Sequence, residues 1–208
     1  MRKTGFIFGL IMLVSTGCSS ILIKSTPAPS YYQIEYAPYS PSCSAGFQQG
    51  VRIWPFTASP PFDRSEMVVE RDARQVELAG NDLWVATPGT LLAQSLIRDL
   101  SGGDLFPLVV GSDDPTVVPF ELTGHIYDFA WQKSNSAMRA KLHVEVDLLD
   151  TTQGSKKLFH SDYDLRSKPF VDNSPRAFAS GMSDLVRQFS RKLSADLCHA
   201  ARSQPAAE

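Results

Sequence analysis

Cys18 is the residue whose setting specifies chemistry most clearly. It ends the run Leu13-Val14-Ser15-Thr16-Gly17-Cys18, and Ser19-Ser20 follow it. Arg2 and Lys3 supply a basic start, residues 5–14 an apolar stretch, and Ser15, Thr16 and Gly17 a small-residue approach. That layout reads as a bacterial export signal cut before a cysteine that receives lipid. The thiol would carry a diacylglyceryl group, and the amine freed by cleavage a further acyl chain. Anchoring through more than one chain is stable, whereas a single chain binds reversibly. The apolar stretch is too short to span a bilayer, which takes roughly 20 residues.

Two more cysteines, Cys43 and Cys198, complete the three in the chain. An exported protein meets an oxidising compartment, where such a pair can become a disulfide. A bridge would staple the start of the domain to its end and close a loop of about 155 residues, a gain of about 3–5 kcal/mol in the chain-entropy model. Two independent free thiols are the alternative, and the export signal favours the bridge. The four histidines are far apart in sequence. His125 and His143 can face the same way on neighbouring strands, but on the polar side, so they read as solvated residues and not as metal ligands.

Other chemical patterns are missing from the sequence. There is no Gly-x-Ser-x-Gly elbow, no His-Glu-x-x-His, no Cys-x-x-Cys and no phosphate-cradling glycine loop. Ala179-Ser180-Gly181 falls inside a helical pattern and lacks the strand-to-helix turn of a nucleophile. Asp113-Asp114-Pro115 reads as a turn, and Asp162-Tyr163-Asp164 as the wet side of a strand; neither has the ligand count of a calcium loop. No enzymatic site, metal or cofactor is expected beyond the covalent lipid at Cys18.

Composition agrees with an exported domain. Removing residues 1–17 leaves about 190 residues, the length of one domain with tails. A hydrophobic content of 43% supports a core. Losing Arg2 and Lys3 takes the formal charge from -2 to -4, and no basic stripe remains, which disfavours nucleic acid as a partner.

The elements that must position these residues follow from periodicity. Tyr31-Tyr32-Gln33-Ile34-Glu35-Tyr36 alternates and predicts a strand; residues 51–56 predict another, with Pro55 marking an edge or an end. Residues 67–70 and 74–78 are strand candidates, and Asn81-Asp82 a turn. Thr87 as N-cap and Pro88 just inside open a helix whose Leu92, Leu96 and Leu100 share a face. Residues 106–110, 120–132, 141–148 and 157–165 predict strands, with a turn at Ser134-Asn135-Ser136. The third alternates without error. Ser174-Pro175 opens a last helix with Phe178, Met182, Leu185, Val186, Phe189, Leu193 and Leu197 in one stripe. The expected fold class is α+β: a two-layer sandwich, with a mostly antiparallel or mixed sheet and two amphipathic helices on one face. The expected organisation is a signal peptide over 1–17, a lipidated tether over 18–30, a domain over 31–200 and a tail over 201–208.

Three segments in order carry a family resemblance: Tyr31-Tyr32-Gln33-Ile34; Asp63-Arg64 through Val68-Val69-Glu70-Arg71; and Asn81-Asp82-Leu83-Trp84 running into the first helix. Behind a lipid-modified cysteine, this set resembles the ABC-type transport auxiliary lipoproteins, the PqiC- and YmbA-like family. Val85, Gly89 and the loop around Cys43 depart from the usual pattern. The resemblance implies a non-enzymatic accessory of an intermembrane lipid-transport system, anchored at the periplasmic face of the outer membrane. Ser19 after the cysteine, in place of Asp, resembles the outer-membrane sorting pattern. The implied partners are a periplasmic MCE-domain (mammalian cell entry) protein and its inner-membrane transport components, with self-association into a ring also implied.

Trp54, Phe56 and Phe62, with Pro60-Pro61, form an aromatic segment at a predicted edge strand. Such a segment can pack over the open end of the core or serve as a partner contact. Trp84 is expected in the core, while Trp131 at a strand end fits either place. Two other functions compete: an assembly lipoprotein of a different outer-membrane machine, and a direct lipid carrier.

Overall fold

The computed structural model describes residues 27–72, 75–134 and 137–203. Cys18 and the expected signal peptide lie outside the described residues, as does most of the tether. Nine strands and two helices follow in the order β1 (Ser30–Tyr32), β2 (Val51–Ile53), β3 (Thr57–Ala58), β4 (Glu66–Asp72), β5 (Gln75–Trp84), α1 (Pro88–Ser101), β6 (Val109–Gly111), β7 (Phe120–Lys133), β8 (Met138–Asp150), β9 (Lys156–Arg166) and α2 (Pro175–Arg202). This is the expected α+β class, with one mixed sheet.

The 14-residue strand β7 is the spine. Its whole length pairs antiparallel with β8, and β8 pairs antiparallel with β9. On its other side three short strands line up in series, all parallel to it: β2, then β3, then β4. β6 extends the sheet beyond β2, while β5 and β1 extend it beyond β4. Both helices cover one face, α1 over β2, β3, β6 and β7 and α2 over β8 and β9, and they touch each other.

Alternation sets the inner face. Ala140, Leu142, Val144, Val146 and Leu148 on β8 are fully buried under the helices, while the residues between them reach solvent. The α2 stripe from Phe178 to Leu197 is likewise fully buried. Ser174 caps that helix by accepting from the Ala177 amide at 3.2 Å, with Pro175 in the first turn. Thr87 precedes α1 in extended backbone but makes no side-chain cap bond; its hydroxyl instead meets that of Thr90 at 3.0 Å. Trp84 is buried edge-on to Phe129 and Phe178, and Trp131 is buried too, stacked on Phe178 at 5.4 Å.

Three local expectations change. Asn81-Asp82 is not a turn but part of β5. Gly80, at φ +63°, takes up a register shift against β4, and β1 then pairs with Asp82–Trp84. Pairing on both sides overrides the local turn preference. The first predicted strand pairs only as far as Tyr32, although Ile34 and Tyr36 stay buried in its alternation. β3 carries no sequence signal of its own. Cys43 and Cys198 form a disulfide, with Cα atoms 5.8 Å apart, which ties the loop after β1 to the end of α2.

Candidate functional site

The face of the sheet opposite the helices is polar over β7, β8 and β9, and it collects three of the four histidines. His125 and Glu145 are register partners across β7 and β8, as are Asp147 and His160 across β8 and β9. Strand alternation turns all of them outward, and none is buried.

The contacts there are ion pairs and hydrogen bonds. His143 Nε2 lies 2.8 Å from Asp162, and His160 Nδ1 lies 2.8 Å from Asp147. His125 meets the hydroxyls of Thr57 and Ser59 with its two ring nitrogens, each at 2.8 Å, and so pins β3 to the spine. Tyr127 stands between His125 and His143, with ring centroids 4.7 and 4.9 Å away, and donates to Glu145 at 3.0 Å. That bond, then the negative charge of Glu145, raises the Tyr127 pKa. Burial opposes ionisation of Asp147, but hydrogen bonds from Lys157 and His160 outweigh it and lower the pKa.

His125 and His143 do share a face, but they hold different partners. Among the described residues, one group has metal-ligand character: Glu145, Asp147 and His160, with ligand atoms within 4.8 Å of one another. The Lys157 ammonium stands 2.8 Å from Asp147 and already neutralises the carboxylate an ion would use. Sequence reasoning missed this group because it looked for paired histidines, whereas β-register joins a Glu-x-Asp pair to a histidine one strand over.

The aromatic segment divides. Trp54 is 37% exposed and stays a candidate contact. Phe56 and Phe62 are only 5% exposed, so of the two readings of these rings, packing into the core holds and partner contact does not. Two glycines make the slot for Phe56. A Cβ on Gly124 would lie 2.5 Å from the Phe56 ring, and one on Gly89 would lie 1.9 Å from the Phe56 carbonyl oxygen. The ring therefore lies over Gly124 on the helix-covered face and meets Phe189 edge-on at 6.5 Å. Phe62 follows the cis Pro60-Pro61 bond and its amide turns back to the Ser59 carbonyl at 2.8 Å, which brings its ring inward. Trp54, Thr57, His125, Glu145 and Asp147 surround a groove of about 360 Å³.

A groove of about 630 Å³ lies between the β4–β5 hairpin and the β7–β8 connection, lined by Arg71, Lys133, Arg139, Lys141 and Arg166 with Glu70, Asp72 and Asp128. Among the described residues, no helix is long and apolar enough to cross a membrane.

The fold is similar to that of protein XCC0632 from Xanthomonas campestris, of family DUF330, with a TM-score of 0.73 at 11% identity over 83% of this chain and 97% of that one. It is also similar to an uncharacterised protein of known structure, with a TM-score of 0.61 at 14% identity over 82% and 99% of the two chains. A PelC dodecamer from Paraburkholderia phytofirmans has a TM-score of 0.46 at 12% identity over 76% and 92%. No curated protein matches the chain in sequence. The model of the family described as ABC-type transport auxiliary lipoprotein component matches residues 32–194, so the chain belongs to that family.

Proposed function

We propose that this chain is a non-enzymatic accessory of an ABC-driven, MCE-type lipid-transport system. Lipid on Cys18 holds it at the periplasmic face of the outer membrane. The observation that carries the reading is the family match over residues 32–194, behind a sequence laid out for lipidation at Cys18. The site geometry supports it, since His143 and His160 are held by carboxylates, and His125, 2.8 Å from the Ser59 hydroxyl, has its other ring nitrogen on the Thr57 hydroxyl and not on an orienting carboxylate.

In this reading the exposed Trp54, at the groove it shares with Thr57, His125 and Glu145, is the contact for the MCE-domain partner. Tryptophan is enriched at the energetic centres of protein interfaces, and the chain's own Arg52, 5.8 Å from the ring, already supplies its cation. The test is affinity purification of the tagged chain from solubilised envelopes. An MCE-domain protein should co-purify, Trp54→Asp should cut its recovery without lowering the melting temperature, and Cys18→Ser should release the domain from the membrane. Recovery of an outer-membrane β-barrel in place of an MCE protein would overturn the reading in favour of another assembly machine.

A further inference from the structure

The segment between β6 and β7, residues 112–118, is held in place by one side chain. Val51 and Ile53 on β2 are buried, so Arg52 between them faces the open side of the sheet. Its guanidinium donates to the carbonyls of Gly111 at 2.7 Å, Ser112 at 3.4 Å and Asp114 at 2.8 Å, and also to that of Thr116. Two residues before Arg52, Gly50 leaves room for the returning chain: a Cβ there would lie 2.9 Å from Val118 Cγ1 and 3.2 Å from Leu108 Cβ. Val118 and Val110, the register partner of Arg52, are buried outside the main hydrophobic cluster. Backbone fixed in this way loses little freedom when a partner lands on it.

The loop displays an apolar side chain. Val117 is 94% exposed, and Leu108 beside Val118 is 44% exposed. The guanidinium that bonds Thr116 also lies 5.8 Å from the Trp54 ring, so Trp54 and the Val117 end of the loop flank the same side chain. An exposed valine standing alone would be ordinary; grouped with an exposed indole and an exposed leucine it forms a patch.

The border of the patch is acidic. Asp113, Asp114 and Glu121, the register partner of Arg52 on β7, form no ion pair within 4.0 Å among the described residues. Asp114 accepts from the Thr116 amide at 2.8 Å, and Asp113 from the Ser112 hydroxyl at 3.1 Å. Arg52 gives its hydrogen bonds to carbonyls, and its one charge offsets one of the three carboxylates. The remainder suits a basic border on whatever covers the apolar centre.

We propose that the loop over residues 112–117 completes the Trp54 docking surface and receives, from the MCE-domain partner, an apolar segment flanked by lysine or arginine. Trp54 and Val117 contact the apolar part, Asp113 and Glu121 the cations, and Arg52 is a positioning residue. The partner's identity rests on the transport reading above; the construction of the loop does not.

The test is photocrosslinking in intact envelopes, using the full chain with benzoylphenylalanine in place of Val117. The control carries it in place of Val171, which is 96% exposed and follows Phe170 beside Met138, at the opposite end of β7. The probe at 117 should give an adduct with an MCE-domain protein, about tenfold stronger than the probe at 171. Asp113 is exposed, so Asp113→Lys keeps the fold, and it should lower the adduct about fivefold by setting like charges against each other. Arg52→Gln should lower the adduct too and speed amide exchange over residues 112–117 about tenfold, with exchange in β8 unchanged.

No adduct at 117, equal adducts at the two positions, an adduct with a second copy or a β-barrel protein in its place, or an unaffected Asp113→Lys variant would each overturn the proposal. Unchanged exchange in Arg52→Gln would overturn the role of Arg52. If the tagged chain captures the MCE-domain protein and the 117 probe does not, the loop assignment alone fails; if neither captures it, the transport reading fails with it.

Discussion

Breaking the Cys43–Cys198 bridge is the perturbation whose size follows most directly from the chain. The bridge spans 155 residues, nearly the whole domain. In the chain-entropy model that closure removes about 17 cal/mol/K from the unfolded state, or about 5 kcal/mol at 25 °C. Both cysteines are buried, at 6% and 8% exposure, so alanine replacements avoid placing a hydroxyl in the core. The assay is urea unfolding of wild type, Cys43→Ala, Cys198→Ala and the double variant. With a urea dependence of about 2 kcal/mol/M, the midpoint should fall by about 2.5 M. Either single variant should lose nearly what the double loses, because each removes the same bond. The dependence on urea should steepen, since the unbridged unfolded chain exposes more surface. A loss under about 1 kcal/mol, or additive single effects, would refute the argument that the bridge constrains the unfolded chain.

Gly89→Ala should cost about 2–4 kcal/mol, read from a thermal or urea melt. The new Cβ would collide with the Phe56 carbonyl, which is backbone and cannot rotate away, and the Phe56 amide bond to the Gly89 carbonyl at 3.2 Å would go with it. A melt unchanged within about 0.5 kcal/mol would refute that close approach. Alkaline pH should destabilise the fold through Tyr36 and Tyr163, whose hydroxyls donate to Asp99 at 2.8 Å and Asp196 at 2.7 Å. Burial first, then the neighbouring carboxylates, raises both pKa values above 10.0 in the folded state. The folded chain therefore keeps protons that the unfolded chain releases. Stability from these groups is full below about pH 10 and falls as pH rises further. Urea unfolding from about pH 8 to about pH 11 should show that fall, and Tyr36→Phe with Tyr163→Phe should reduce its slope; an identical slope would exclude these two groups as its source.

Legibility in the sequence tracks how local the cause is. The alternation over residues 141–148 is legible because the two faces of β8 meet different media, helices on one side and water on the other. The stripes of α1 and α2 are legible for the same reason at helical spacing. Phe56 was legible only as one of two alternatives, because its slot is made by Gly89 and Gly124, distant in sequence and silent as motifs. The same holds for β3, whose two residues are strand only because His125 and its neighbours receive them. The grouping of Glu145, Asp147 and His160 depends on the β8–β9 register, which one residue of slip would dissolve.

By itself, the sequence determined the apolar patterning, the two helices, the α+β class and, through three ordered segments, the family resemblance. These follow from backbone periods of two and 3.6 and from which side chains leave water. Only the tertiary structure decided that β7 serves as a spine with three strands in series beside it, that Phe56 turns inward while Trp54 stays out, and that three strands bring three histidines to one polar face. The physical reason is that strand neighbours are chosen by contacts between residues far apart in the chain, and no local spacing records which partner closes across the gap.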